Sequence, residues 1–329
     1  MARRLLAVAA LALIFPFVPA VQAGPALVFE PNSGLVLYSE DADVLWHPAS
    51  LTKLMTAYIT FEELRDSKLK PEDTVTCSEH ALNQAPSKIG LPVGSQMSID
   101  MALKALIVQS ANDVAIMLAE KIGGSEEAFV ARMNATAQRL GMTQTRFFNA
   151  NGLPNDQQVT TARDLGLLAR ALLKEFPQHT YLYSLPTVQF GKRVLRSHNG
   201  LLRTFYGADG MKTGFVCASG YNVVASATRG DKRIVAVVLG ERSGGARTVR
   251  AGALIQHGFD NYLWKAMFST TIDKMEFENS AIQTAPDLHT IVCAPRVHLK
   301  RPRKDGKKKK LQQAAVVTTT ATATVSKPK

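Results

Sequence analysis

Strand-forming patterns lie at both ends of the body of this sequence, and the residues between them have the apolar spacing of helices. Segments 26–30 and 35–40 predict two short strands on either side of the turn-rich break 31–34. Three further strands, rich in valine and alanine, are predicted at 212–216, 221–227 and 233–239. This order predicts a fold of the α/β class, of the α+β type, in which both chain ends join one largely antiparallel sheet.

Helices are predicted between the two groups of strands, because apolar residues recur there at helical spacing. Four of them are expected at 98–108, 112–122, 125–140 and 161–173. An earlier helix begins at Ser50, and its apolar residues from Leu51 to Phe61 have little polar relief, so it is expected to be mostly buried. Pro48, just ahead of it, marks its start. A last helix is predicted at 247–256.

The N-terminus has the pattern of a secretory signal peptide. Arg3 and Arg4 precede the apolar run 5–18, and a stretch of small residues ends at Ala23. That run is shorter than the roughly 20 residues that a membrane-spanning helix needs. The sequence therefore predicts export, with cleavage after Ala23.

The net charge of +12 is concentrated near the C-terminus. Residues 296–329 carry eleven lysines and arginines against Asp305, whereas residues 24–295 carry equal numbers of bases and acids. A neutral body gives no support to nucleic-acid binding. Residues 296–329 are expected to be a disordered basic tail that binds anionic lipid headgroups or acidic envelope polymers, and a solvated tail without a partner is the alternative.

Three cysteines, Cys77, Cys217 and Cys293, lie far apart in the sequence. Their spacing excludes a zinc ribbon and a small disulfide-dense fold. An exported protein can oxidise one pair and leave one thiol free, but the sequence does not tell which pair. Three buried thiols are an equally good interpretation, and a packing role is expected for Cys217.

Several common catalytic patterns are missing, among them G-x-G-x-x-G, the P-loop, H-E-x-x-H and G-x-S-x-G. Three short motifs occur instead, in this order: Ser50-Leu51-Thr52-Lys53, Ser110-Ala111-Asn112 and Lys212-Thr213-Gly214. Lys53 follows Ser50 by one turn of the predicted buried helix, so the two side chains share a face. A desolvated lysine near a second cation shifts toward its neutral form, which can accept the proton of a serine hydroxyl.

A second S-x-x-K match, residues 67–70, lies in a polar stretch that ends at Pro71. Its lysines are expected to stay solvated and charged, which leaves Ser67 without a base. Likewise, residues 197–199 match S-x-N, and His198 and Asn199 are expected to be structural rather than catalytic.

Residues 25 to about 265 resemble the serine D-alanyl-D-alanine carboxypeptidases, the low-molecular-mass penicillin-binding proteins of the β-lactamase/DD-peptidase superfamily. The resemblance rests on the three motifs together with their flanking residues at 46–50, 109–113, 151–153 and 209–215. It implies the fold of that superfamily and an enzyme that trims the terminal D-alanine from peptidoglycan pentapeptides. Stem peptides are then the substrates, β-lactam antibiotics are covalent inhibitors, and neither a metal nor an organic cofactor is needed.

The resemblance also implies a role for each motif residue. Ser50 is the nucleophile and Lys53 its base. Ser110 relays a proton to the leaving amine, and Asn112 positions the substrate and supports Lys53. On the third motif, Lys212 supplies positive potential.

The substrate-binding residues follow from the same resemblance. Thr213 and a downstream arginine bind the terminal carboxylate, and by spacing this arginine is Arg247, with Arg242 as the alternative. Gly214 lets the substrate backbone approach closely. The backbone N–H groups of Ser50 and Phe215 form the oxyanion hole.

Three rival functions stay open at this point. A β-lactamase shares the serine and lysine chemistry, but the region 148–153 lacks the carboxylate that a class A enzyme uses for deacylation. A D,D-endopeptidase acting on cross-links and a catalytically silent wall-binding protein are the others.

The chain is expected to consist of four parts, namely a signal peptide (1–23), a DD-peptidase catalytic domain (24–265), a short C-terminal extension (266–295) and the basic tail (296–329). Many family members carry a β-rich second domain followed by an amphipathic membrane helix. The extension is too short for such a domain, so a location in the periplasm or at the extracytoplasmic face of the envelope is expected without the family's usual anchor.

Overall fold

The computed structural model of the protein describes residues 24–277 and 284–294. The predicted signal peptide and the predicted basic tail lie outside these residues. Within them, no helix has both the length and the apolar character needed to cross a membrane.

The predicted strands lie at both ends of the described chain with the predicted helices between them, and several short strands and helices that the sequence analysis does not predict lie among them. The strands are β1 (Ala26–Phe29), β2 (Val36–Glu40), β3 (Thr74–Thr76), β4 (Gln96–Ser98), β5 (Thr187–Phe190), β6 (Arg193–Arg196), β7 (Ala208–Val216), β8 (Gly220–Arg229) and β9 (Lys232–Glu241). The α-helices are α1 (Lys53–Arg65), α2 (Glu79–Leu82), α3 (Ile99–Lys104), α4 (Asn112–Gly123), α5 (Glu126–Arg139), α6 (Ala162–Glu175), α7 (Tyr181–Ser184), α8 (Leu201–Thr204), α9 (Gly244–Phe268) and α10 (His289–Val292). Short 3-10 turns lie at Ala49–Thr52, Pro177–His179 and Ile272–Lys274, and a π-helical turn lies at Ala105–Gln109.

The main sheet has five strands in the order β2-β1-β9-β8-β7, and every neighbouring pair is antiparallel. Its centre joins the two ends of the body, since Ala26 pairs with Val238. The prediction of one antiparallel sheet built from both chain ends is therefore confirmed. Two separate two-stranded sheets, β3-β4 and β5-β6, complete the strands of the described residues.

Both faces of the main sheet are covered. Val235 and Val237 of β9 pack into the cluster formed with the helical region, whereas Ile234 and Ala236 pack into a second cluster with α9. Alternate residues of a strand point to opposite faces. A strand buried on both faces is apolar at every position, which explains the continuous run of valines and alanines that the sequence shows.

Helix α1 lies in the middle of the larger cluster. Every residue from Lys53 to Glu63 is buried, as the sequence predicts. The 3-10 turn Ala49–Thr52 precedes it, with Pro48 at the start of that turn. Ser50 lies in this turn, ahead of the helix proper, and is only partly buried.

Helix α9 is longer than predicted. The sequence predicts a helix at 247–256, but the structure continues it to Phe268. Beyond Gln256 its buried face is narrow, with Gly258 as its last buried residue, so apolar periodicity does not reveal the continuation. The predicted limit of the catalytic domain at residue 265 falls inside this helix and stays a prediction.

Gly240 near the end of β9 fits closely against Trp46. Its φ is +77°, and a Cβ atom placed there would lie 2.3 Å from the Trp46 ring. Trp46 is itself buried and donates its indole N–H to the Ser219 carbonyl at 2.9 Å. The contact therefore helps to fix the turn between β7 and β8.

We expect Gly240→Ala to destabilise the protein by about 3 kcal/mol, of which about 1 to 2 kcal/mol comes from the left-handed backbone and the rest from overpacking. Gly230→Ala is the matched control, because Gly230 also has a positive φ but a Cβ atom there meets nothing within 4 Å. Its cost should be the backbone contribution alone, about 1 to 2 kcal/mol. Urea unfolding of both variants measures the difference, and equal losses would contradict the proposed contact.

Candidate active site

Ser50 and Lys53 lie together where the 3-10 turn passes into α1. The Lys53 Nζ group lies 3.1 Å from the Ser50 hydroxyl, 2.6 Å from Asn112 Oδ1 and 2.5 Å from the Asn151 carbonyl. Of these partners, Asn112 Oδ1 and the Asn151 carbonyl can only accept hydrogen bonds. A neutral lysine amine that donates to both directs its lone pair at the Ser50 hydroxyl.

The side-chain amide of Asn112 is held in one orientation. Its Nδ2 donates to the Ala85 carbonyl at 2.8 Å, which leaves Oδ1 facing Lys53. The backbone N–H of Asn112 donates to the Ser87 carbonyl at 2.7 Å. Asn112 is the first residue of α4, so the start of that helix is fixed against the cleft.

Ser110 has a left-handed backbone conformation, with φ 60° and ψ 37°. It follows the π-helical turn Ala105–Gln109 directly. A left-handed non-glycine residue is strained, and such residues concentrate at functional sites. Here the conformation brings the Ser110 hydroxyl to 2.9 Å from the Lys212 Nζ group, which donates to it.

The third motif lies on β7, the edge strand of the sheet. Lys212 is buried and also donates to the Thr213 carbonyl at 2.8 Å. At Gly214 a Cβ atom would lie 3.0 Å from the Pro48 carbonyl and 3.1 Å from the Ser50 nitrogen. Only glycine lets the strand lie this close to the turn that carries Ser50.

Arg247, in the first part of α9, points into the same region. Its side chain is only 7% exposed and its Nη2 donates to the His198 carbonyl at 3.1 Å. The guanidinium also lies over the Tyr221 ring, 6.0 Å from the ring centroid. Arg242, the alternative left open by the sequence, is exposed and does not line the cleft.

One cleft of about 570 Å³ is lined by all the predicted catalytic and substrate-binding residues except Lys53 and Lys212. Its lining residues are Ser50, Pro86, Ser87, Ser110, Asn112, Gly152, Leu153, Pro154, His198, Thr213, Gly214, Phe215, Val216, Cys217, Tyr221 and Arg247. Lys53 and Lys212 lie below its floor, where they are 0% and 2% exposed. The structure therefore brings the three motifs and Arg247 together.

Burial without an acidic partner changes the protonation of these cations. Neither lysine forms a salt bridge within the described residues. Burial, and secondarily the charge of Lys212, lowers the pKa of Lys53 well below its usual range. Burial and the charge of Arg247 lower the pKa of Lys212 to about 7, and burial lowers that of Arg247 to about 10.

Sequence reasoning missed three parts of the site. The Asn151 carbonyl contacts Lys53, but a backbone carbonyl leaves no mark in a sequence. Gly152, with φ +81°, packs so tightly that a Cβ atom would overlap the Ala49 carbonyl; the Asn-Gly pair at 151–152 is a turn signal that points to it. Tyr221 stacks with Phe215 at a ring separation of 4.3 Å and lies beneath Arg247.

Cys217 differs from its predicted packing role. It lines the cleft and forms a disulfide with Cys293, while Cys77 is free and buried. The spacing of three distant cysteines does not reveal this pair, because it depends on the path of the chain after α9. Among the described residues, no group of three histidines, cysteines or acids is placed to hold a metal ion.

The chain resembles known proteins along most of its described length. A family model described as D-alanyl-D-alanine carboxypeptidase matches residues 15–243. The D-alanyl-D-alanine carboxypeptidase DacC of Escherichia coli (strain K12) is 38% identical over 248 residues, which cover 73% of this chain and 62% of that protein. DacA of the same organism is 34% identical over 253 residues, covering 75% and 63%. The chain thus matches a little under two thirds of the length of these relatives.

Solved structures agree with this similarity. The D-alanyl-D-alanine carboxypeptidase DacD from Francisella tularensis has a TM-score of 0.70 at 30% identity, covering 77% of this chain and 74% of that one. Penicillin-Binding Protein D2 from Listeria monocytogenes, in its cefotaxime-bound form, has a TM-score of 0.66 at 33% identity, covering 72% and 97%. These likenesses confirm the DD-peptidase-like fold that the sequence predicts. The chain belongs to the D-alanyl-D-alanine carboxypeptidase family.

Proposed function

We propose that this protein is a serine-type D-Ala-D-Ala carboxypeptidase that removes the terminal D-alanine from peptidoglycan pentapeptides. The observation that carries the proposal is the contact of the Ser50 hydroxyl with Lys53, which is buried and has no salt bridge among the described residues. Burial lowers the pKa of Lys53 well below its usual range and so favours the neutral amine, which is the form that can take the serine proton. The family membership supports the same reaction.

In the proposed first step Lys53 accepts the Ser50 proton while Ser50 Oγ attacks the carbonyl carbon of the penultimate D-alanine. The resulting oxyanion is stabilised by the backbone N–H groups of Ser50 and Phe215, and the close approach of β7 to the Ser50 turn at Gly214 supports this pairing. The C–N bond then breaks, and the proton that Lys53 accepted passes through Ser110 to the leaving amine, which leaves Lys53 neutral again. Lys212 contacts Ser110 in this relay. An ester on Ser50 and free D-alanine remain.

Water completes the proposed cycle. A water molecule attacks the ester, Lys53 accepts its proton, and the shortened peptide leaves as Ser50 recovers its hydrogen. None of the described residues that line the cleft is an aspartate or a glutamate. Without a carboxylate base in the cleft, hydrolysis of the acyl-enzyme is expected to be slow. Slow deacylation supports a penicillin-binding protein that stays acylated by β-lactams rather than a β-lactamase.

The substrate carboxylate is proposed to bind between Thr213 and Arg247. Both line the cleft, and Arg247 keeps its charge below pH 10 or so, since its pKa is about 10. Asn112 contributes to substrate positioning and to the orientation of Lys53.

From the sequence we further propose that the protein is exported, with residues 24–265 as its catalytic domain. The basic residues 296–329 are proposed to bind anionic envelope polymers or lipid headgroups by charge attraction.

The nucleophile can be tested against its sequence rival. Ser50→Ala should lower D-Ala release from a pentapeptide by at least about 1,000-fold and abolish labelling by a fluorescent penicillin, because no acyl-enzyme can form. Ser67→Ala is the matched control, since Ser67 also stands in an S-x-x-K pattern but is exposed and outside the cleft. It should leave both readouts unchanged. Labelling that survives in Ser50→Ala would refute the assignment.

The pH dependence of kcat/KM for penicillin acylation should have two limbs. The rate rises with pH as Lys53 loses its proton, and falls near pH 7 as Lys212 loses the charge that the site requires. In Lys212→Arg the guanidinium stays charged. The midpoint of the alkaline limb should therefore shift to higher pH by at least one unit, while the midpoint of the acid limb is unchanged.

Lys104→Arg provides the control for this profile, because Lys104 lies outside the cleft in a salt bridge with Asp100. Neither limb should move in that variant. An alkaline limb that stays near pH 7 in Lys212→Arg would show that another group titrates there.

Arg247→Ala should lower kcat/KM for a D-Ala-D-Ala peptide by about 10- to 100-fold, the value of a hydrogen bond between charged groups. The same peptide with a C-terminal amide should lose nothing further, because it has no carboxylate to bind. Arg242→Ala is the control and should act as wild type, since Arg242 is exposed. An equal loss on both peptides would place Arg247 in a purely structural role.

A further inference from the structure

A second groove lies beyond the catalytic cleft, and a small cavity of about 20 Å³ lies between the two. Gly152, Leu153, Pro154 and Val216 line both the cleft and a small adjoining cavity. That cavity shares His47, Asp156 and Ala218 with a larger one of about 550 Å³. The larger cavity, here called the distal groove, is lined by Leu45, His47, Asp156, Val159, Ala218, Thr284, Ala285 and Asp287.

One wall of the distal groove comes from the short C-terminal segment 284–294. The disulfide Cys217–Cys293 joins this segment to the turn that follows β7. Next to it, the Leu288 N–H donates to the Ala218 carbonyl at 2.9 Å. The Leu288 side chain also packs on Gly220, where a Cβ atom would lie 3.0 Å from Leu288 Cδ1. The segment is therefore attached at a covalent bond, a hydrogen bond and an apolar contact, all on residues 217–220.

The direction of the proposed substrate leads toward this groove. Its carboxylate lies at Thr213 and Arg247, and its reacting carbonyl lies beside Ser50, which Gly214 approaches. The peptide therefore runs along the free edge of β7 from Thr213 toward Cys217. At about 3.3 Å per residue these positions lie about 13 Å apart. An extended pentapeptide is about 17 Å long, so its N-terminal residue reaches about 4 Å beyond Cys217.

We propose that the distal groove binds the stem-peptide residues that precede the D-Ala-D-Ala terminus, and that the disulfide-held segment 284–294 is a substrate-binding wall. The inference rests on the proposed carboxypeptidase function. It gives the C-terminal extension a part in substrate selection, since a peptide that reaches the groove gains contacts that a dipeptide cannot make. Penicillin acylation needs only the cleft and does not use the groove.

The test compares three reactions: D-Ala release from an uncross-linked stem pentapeptide, D-Ala release from N-acetyl-D-Ala-D-Ala, and acylation by penicillin. Ala285→Trp fills the groove without touching the disulfide. It should raise KM for the pentapeptide about 5- to 10-fold while kcat, the dipeptide reaction and penicillin acylation stay within twofold. Thr290→Trp is the matched control, because Thr290 lies exposed on the same segment but outside the groove.

Cys293→Ser tests whether the disulfide keeps the segment 284–294 in place as a wall of the groove. Loss of the disulfide should lower the ratio of pentapeptide to dipeptide kcat/KM about 3- to 10-fold, and reduction of the wild type should do the same. Cys77→Ser should not, because Cys77 has no disulfide partner.

The outcomes separate this inference from the proposed function. A wild-type protein that hydrolyses neither peptide and is not acylated by penicillin refutes the carboxypeptidase proposal itself. If wild type hydrolyses both peptides but Ala285→Trp leaves the pentapeptide KM unchanged, the groove is not a substrate site. If Ala285→Trp acts as expected and Cys293→Ser does not, the groove binds substrate but the disulfide does not support its wall.

Discussion

Two lysines buried beneath one cleft, without acidic partners, are the constraint on which the site depends. A buried ammonium is costly unless other groups compensate for its lost hydration. For Lys53 these groups are a hydroxyl, an amide oxygen and a backbone carbonyl, contributed by the Ser50 turn, by α4 and by the segment around Asn151. None of them is a carboxylate, and burial lowers the pKa of Lys53 well below its usual range. The ability of Lys53 to act as a base therefore depends on the absence of a carboxylate among its hydrogen-bond partners.

The fold brings these partners together by joining distant parts of the chain. The central pairing of β1 with β9 unites the ends of the body, and β7 then becomes an exposed edge beside the start of α1. The helical region reaches the same place from the other side, through the π-helical turn and the left-handed Ser110. The strained backbone of Ser110 persists because the residues before and after it belong to the buried segment from α3 to α4. Its side chain is held by the hydrogen bond from Lys212.

Much of this arrangement can be predicted from the sequence. The run at 234–239 is apolar at every position because the strand is buried on both faces, and the three motifs mark their side chains by residue type. Other features leave no such mark. The Ser110 backbone conformation and the Asn151 carbonyl depend on the path of the main chain, which any residue type can follow. The pairing of Cys217 with Cys293 depends on how the chain returns after α9, and the end of α9 itself lies where few side chains are buried.

The disulfide also has a mechanical consequence. It closes a covalent loop between two cysteines 76 positions apart in the sequence, and this loop contains β8, β9 and α9. Residues 294–329 follow Cys293 directly, so tension applied at the C-terminus is carried across the sulfur bridge to Cys217 and does not pass through α9. Cys217 stands next to Val216, the last residue of the strand that lines the cleft. A pull on the residues that follow Cys293 would therefore load β7, the edge strand beside the cleft, before the long helix.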